Sequence, residues 1–114
     1  MLSGGIRIKK LGKKDLIMGR FFDTEKYSQE GIMEYLESLY PDSLLADGFD
    51  SCIIGITQGT DSGRVVYDVD KMIEVCMEDG MTYIDAVEYL EFNTLNAYVG
   101  KYTPVYIENL AEED

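Results

Sequence analysis

Residues 52–68 read Cys-Ile-Ile-Gly-Ile-Thr-Gln-Gly-Thr-Asp-Ser-Gly-Arg-Val-Val-Tyr-Asp. Two short runs rich in β-branched residues, 52–57 and 64–67, flank a loop bounded by Gly59 and Gly63. β-Branched side chains suit a pleated surface, and glycine supplies turn conformations that other residues resist. The stretch therefore predicts a β-hairpin over 52–67. The glycine-rich loop lacks the lysine and the following helix of a phosphate-binding loop, so it reads as the hairpin turn.

Asp68 follows at once, placed to cap a helix in which Val69, Met72, Ile73 and Cys76 share one apolar face. Gly80 sits where a C-terminal cap would close that helix. Thr82-Tyr83-Ile84-Asp85 resembles a capping box with aspartate in the glutamate position, and opens a second helix through Val87 and Leu90 towards Tyr98. Gly100 ends it. Residues 103–107, Thr-Pro-Val-Tyr-Ile, read as a last strand that begins at proline, where the missing N–H is tolerated.

Upstream of the hairpin, Ile32, Leu36, Leu39 and Tyr40 recur at helical spacing, with Thr24 or Ser28 as the start cap and Pro41 as the stop. Residues 42–50 read as a loop. Residues 1–20 carry glycines at 4, 5, 12 and 19 and no helical stripe, which leaves a basic arm or a short edge strand around Gly5–Lys9. An isolated hairpin is marginal in water, so the final strand is expected to join it. The fold class is α+β: a small three-stranded, mainly antiparallel sheet, hairpin 52–67 plus strand 103–107, covered by about three helices. The expected organisation is a basic segment 1–20 and a single acidic domain 21–114.

Charge divides the chain in the same place. Residues 1–20 hold six of the 10 basic side chains and one acid, Asp15, whereas residues 21–114 hold 4 basic and 21 acidic side chains, a net charge of −17. Such a body repels nucleic acid and anionic membrane and attracts cationic surfaces. The sequence contains no histidine, which removes the commonest general base and metal ligand near neutral pH. Its two cysteines alone cannot build a structural zinc site. Asp61, Asp68 and Asp70 match no calcium-loop spacing. No catalytic residue, metal or cofactor is assigned, and the chain is expected not to be an enzyme.

There is no apolar run of the ~20 residues that span a bilayer, and no secretory h-region at the N-terminus. The expected location is a cytoplasm. Cys52 and Cys76 then stay reduced, as small buried hydrophobes.

From residue 47 to residue 107 the wording is similar to that of a known family. Asp47-Gly48-Phe49-Asp50, Ile53-Ile54-Gly55, Val66-Tyr67-Asp68, Lys71, Gly80-Met81-Thr82, Glu88-Tyr89, Glu91-Phe92-Asn93, Ala97-Tyr98-Val99-Gly100 and Thr103-Pro104 resemble a family of small uncharacterised bacteriophage proteins. The resemblance implies a phage origin and hence the cytoplasm of a host bacterium, and it supplies no activity. Phage proteins of this size are often host-takeover or anti-defence factors, anti-CRISPR proteins among them, an association of origin with role.

Two candidate sites emerge from the residues. Asp70, Glu74 and Glu78 stack at four-residue spacing on one helix, and Asp85, Glu88 and Glu91 follow on the next. These six form either a face that docks on a host protein with a basic surface, in the manner of a nucleic-acid mimic, or an ordinary solvated face. The weaker candidate is the loop Asp47, Phe49 and Asp50, which reads equally as a turn with a core plug. Asn93 suits a hydrogen bond across to a neighbouring element. The functional expectation is a phage-derived acidic protein that binds and inhibits or redirects a host protein; the alternative is a small-ligand-binding or self-assembling accessory protein without catalysis. Direct nucleic-acid binding by the acidic body is not expected. A homo-oligomer stays open.

Overall fold

The computed structural model describes residues 8–10 and 28–110. Its elements in chain order are β1 (Ile8–Lys10), α1 (Gln29–Leu39), β2 (Leu44–Ala46), β3 (Ile53–Ile56), β4 (Val65–Asp68), α2 (Val69–Glu78), α3 (Tyr83–Leu90) and β5 (Val105–Ile107). Single 3₁₀ turns occupy Asp50–Cys52 and Gly59–Asp61, and a π-helical turn, Glu91–Leu95, continues α3. The class is α+β, as the sequence predicts.

The hairpin forms with Ile53 opposite Tyr67 and Ile56 opposite Val65. A bulge between Ile53 and Gly55 interrupts the register and leaves Ile54 44 % exposed. Strand β5 joins the other side of β4, giving the order β3–β4–β5. It runs parallel to β4, with Tyr106 opposite Tyr67. The expectation of a mainly antiparallel sheet holds for β3–β4 and not for β4–β5. The reason lies in the connection: α2 and α3 intervene between β4 and β5, and a helical crossover returns the chain in the same direction.

Upstream, the segment 42–50 contains more order than a loop. Leu44–Ala46 is a strand that pairs antiparallel with β1, so residues 8–10 adopt the edge-strand alternative. The remainder of the basic segment lies outside the described residues, as does Thr24. Ser28 caps α1, its hydroxyl accepting from the Gly31 N–H, and Tyr40 terminates it just before Pro41.

The core gathers Leu36 of α1, Leu45 and Ala46 of β2, Cys52 and Ile53, Val65 and Tyr67 of β4, Met72, Ile73 and Cys76 of α2, and Ala86 and Leu90 of α3. Tyr67 is its centre. The ring is completely buried, stacks on Tyr106 at 5.7 Å between centroids, and its hydroxyl oxygen accepts the Ala46 N–H at 2.7 Å. Ser43 donates to the Gly63 carbonyl at 2.6 Å from the same side. These two bonds tie β2 to the three-stranded sheet, so a strand too short to persist by itself is fixed by tertiary contacts. Cys52 and Cys76 are both buried and unbridged. Burial pushes both thiols above the ordinary range.

Candidate functional site

Helices α2 and α3 pack against each other and present the face that carries the acids. The Asp68 carboxylate begins α2 by accepting from the N–H groups of Asp70 and Lys71. The residue is 4 % exposed, so this carboxylate is committed to the helix end rather than to solvent. Gly80, with φ +108°, lets the chain leave α2 in a conformation that a side chain would resist. Thr82 then caps α3, its hydroxyl accepting from the backbone N–H of Asp85. The cap uses the Asp85 main chain, which leaves its carboxylate on the surface.

On α2, Met72, Ile73 and Cys76 point to the core, and at 100° per residue the row Asp70, Glu74 and Glu78 falls on the opposite side. On α3, Ala86 and Leu90 are buried, whereas Asp85 and Glu88 turn outward, with Glu91 at the start of the π turn. All six predicted acids are exposed. None of the six makes an ion pair or a side-chain hydrogen bond among the described residues. Lys71 is the single cation on the two helices.

Apolar side chains interrupt this acidic surface. Ile84 is 64 % exposed on the outward side of α3, and Phe92, in the π turn, is 82 % exposed. Neither is marked as part of this face by residue type alone. The signal was present: Ile84 lies two positions before the buried Ala86, about 200° round the helix and so on the far face.

The π turn itself departs from the expectation of a helix running to Tyr98. Asn93 supplies a cause. Its side-chain amide donates to the Tyr89 carbonyl at 2.9 Å, the acceptor that its backbone N–H would use in an α-helix. The Asn96 side-chain amide donates to the Glu91 carbonyl, five residues back, at 3.1 Å. The bond expected from Asn93 to a neighbouring element is thus, in this contact, a local one within its own helix.

The second predicted site is a turn. The Phe49 N–H donates to the Ala46 carbonyl, Gly48 has φ +95°, and Phe49 packs partly buried against the core. Asp47 and Asp50 are half-buried beside it.

A groove of about 830 Å³ lies on the other side of α2, between that helix, α3 and β5. Val69, Ile73, Val87 and Leu95 contribute to its apolar walls, and Tyr83 and Tyr98, 59 % and 78 % exposed, also line it. Thr103 anchors one end: its hydroxyl donates to the Gly100 carbonyl and accepts the Val99 N–H, and its carbonyl accepts from Arg64 Nε. Arg64 is further paired with Asp61 at 2.9 Å. Tyr106 also lines the groove, with its hydroxyl buried and without a hydrogen-bond partner among the described residues.

Among the described residues no group of three or more acidic or cysteine side chains is arranged to hold a metal ion. No helix of the described residues is long and apolar enough to cross a membrane. Comparison with protein-family models, with curated proteins and with solved structures finds no match to the chain.

Proposed function

We propose that the protein is a non-catalytic interaction module that binds a host protein with a basic surface through the outer face of α2 and α3, and thereby inhibits or redirects it. The observation that carries this reading is the state of Asp70, Glu74, Glu78, Asp85, Glu88 and Glu91: all six are exposed, and none is neutralised within the described residues. Concentrating like charge on neighbouring helices destabilises the folded chain by self-repulsion, and a cationic partner relieves that repulsion on binding. Ile84 and Phe92, exposed among the acids, add the apolar contact that electrostatic complementarity alone does not supply. The partner surface that fits is therefore basic with apolar recesses. The reading takes the partner to be a protein of a bacterial host, as the resemblance of residues 47–107 to phage proteins implies, and an anti-defence role of the anti-CRISPR kind belongs to it.

The test is affinity capture from bacterial lysate with the wild-type chain and with a variant in which Glu74, Glu78, Asp85 and Glu88 are all replaced by glutamine. A basic protein retained by the wild type at low salt, and depleted on the folded variant, is the expected result. Equal retention by both would remove the acidic face from the binding site.

A further inference from the structure

We propose that the open edge of β5 and the groove beside it form a docking site for an extended, alternately apolar and basic segment of a partner protein, added to the sheet as a fourth strand. Strand β5 is bonded to β4 on one side only, and residues 105–107 have no further hydrogen-bond partner in the described structure. Unpaired main-chain groups on a sheet edge are a template for another strand. The groove borders that strand: Val105 and Tyr106 of β5 line it, with Thr103 and Pro104 just before the strand, and successive side chains of a strand point to opposite faces, so a hollow that touches both strand residues reaches the strand's margin.

The walls define what an added strand would carry. Val69, Ile73, Val87 and Leu95 accept apolar side chains, with Tyr83 and Tyr98 as exposed aromatic flanks. Asp70 and Glu108, both exposed, supply unpaired negative charge along the same groove, whereas its one cation, Arg64, is held by Asp61 and the Thr103 carbonyl. Apolar residues alternating with lysine or arginine satisfy both features. A second copy of the chain fits poorly, because it brings a net charge of −12 to the same acidic surface. The inference shares Asp70 with the outer acidic face and is distinguished from it by main-chain pairing at β5, which recognises strand geometry and not a charged helix face.

The probe is a blocked peptide of alternating valine and lysine, about ten residues long to match the upper range of natural strands. Its control has the same sequence with alternate backbone nitrogens methylated along one edge. Hydrogen exchange of the Val105–Ile107 amides is followed by NMR together with affinity. The expected result is slowed exchange in β5 with the parent peptide, and binding weaker by at least about tenfold with the methylated one, the worth of a few main-chain hydrogen bonds. Replacing Asp70 by asparagine and Glu108 by glutamine should weaken the parent peptide without unfolding the chain, since both side chains are exposed. Equal binding of the two peptides, with shifts confined to α2 and α3, would overturn the strand-addition site while leaving the acidic face in place. No binding would overturn it as well. Protection of β5 amides in the free protein at all concentrations, or only as it dimerises, would assign the edge to the chain's own residues or to a second copy and would also refute the proposal.

Discussion

Tyr67 shows how much one residue decides in this chain. It lies in the sheet centre, opposite Ile53 on one side and Tyr106 on the other, and its hydroxyl oxygen takes the Ala46 N–H in a buried contact. Tyr67→Phe keeps the ring and removes only the acceptor, so the Ala46 N–H is left without a partner in a site that is 1 % exposed. The expected cost is about 1–3 kcal/mol, the penalty for an orphaned buried polar group, read as a lower urea midpoint at unchanged slope. The sequence marks Tyr67 as part of a strand, and its many tyrosines as rings with a polar end, but gives no sign that the acceptor role joins two sheets. That contact spans 21 positions, beyond the reach of periodicity or turn chemistry. The same limit hid the groove lined by Val69 and Tyr106, whose residues are far apart in sequence.

Elements whose ends are chemically marked were legible; those fixed by distant contacts were not. Asp68, Gly80, Thr82 and Ser28 announce helix boundaries through local hydrogen bonds or backbone freedom, and each occupies that role in the structure. Strand β2 carries no such signal, because Leu44-Leu45-Ala46 is too short for a pattern and depends on β1 and Tyr67. The π turn was hidden for another reason: the sequence points Asn93 towards a neighbouring element and marks Asn96 with no signal, whereas both amides bond main-chain carbonyls of their own helix. The acid positions were legible because helical spacing relative to Met72, Ile73, Cys76 and Leu90 determines which way they face. At this scale the cap of α2 gives a direct test. Asp68→Ala removes an acceptor of two N–H groups and should destabilise the domain by about 1–2 kcal/mol, at the upper end of the cap range because the carboxylate is buried. Thermal melts of the variant beside a Thr82→Ala variant, whose hydroxyl accepts a single N–H, should show the larger loss for Asp68.

For the whole molecule, burial and charge make separate predictions. Desolvation raises the hydroxyl pKa values of Tyr67 and Tyr106 and the thiol pKa values of Cys52 and Cys76, so the fold holds all four groups neutral. In the unfolded chain these groups ionise at about 8.5 for cysteine and about 10 for tyrosine. Their contribution to stability is therefore complete below those values and is lost as pH rises through them towards the raised folded-state values. Urea midpoints should fall steadily on the alkaline side, and Cys52→Ser or Tyr106→Phe should reduce the steepness of the fall in its own range. The surface obeys the other term. Under the proposed function the six exposed acids of α2, α3 and the π turn attract a cationic partner over a distance set by salt, and that dependence separates a binding face from a merely solvated one. The most direct measurement is the affinity of the captured partner for the wild type and for the quadruple glutamine variant. It is made at about 0.1 M salt, where the Debye length is about 10 Å, and at about 1 M, where it is about 3 Å. The wild-type complex should weaken strongly between the two conditions, and the variant should bind more weakly at low salt with a much flatter dependence; equal affinities for both chains at both salt concentrations would contradict the account.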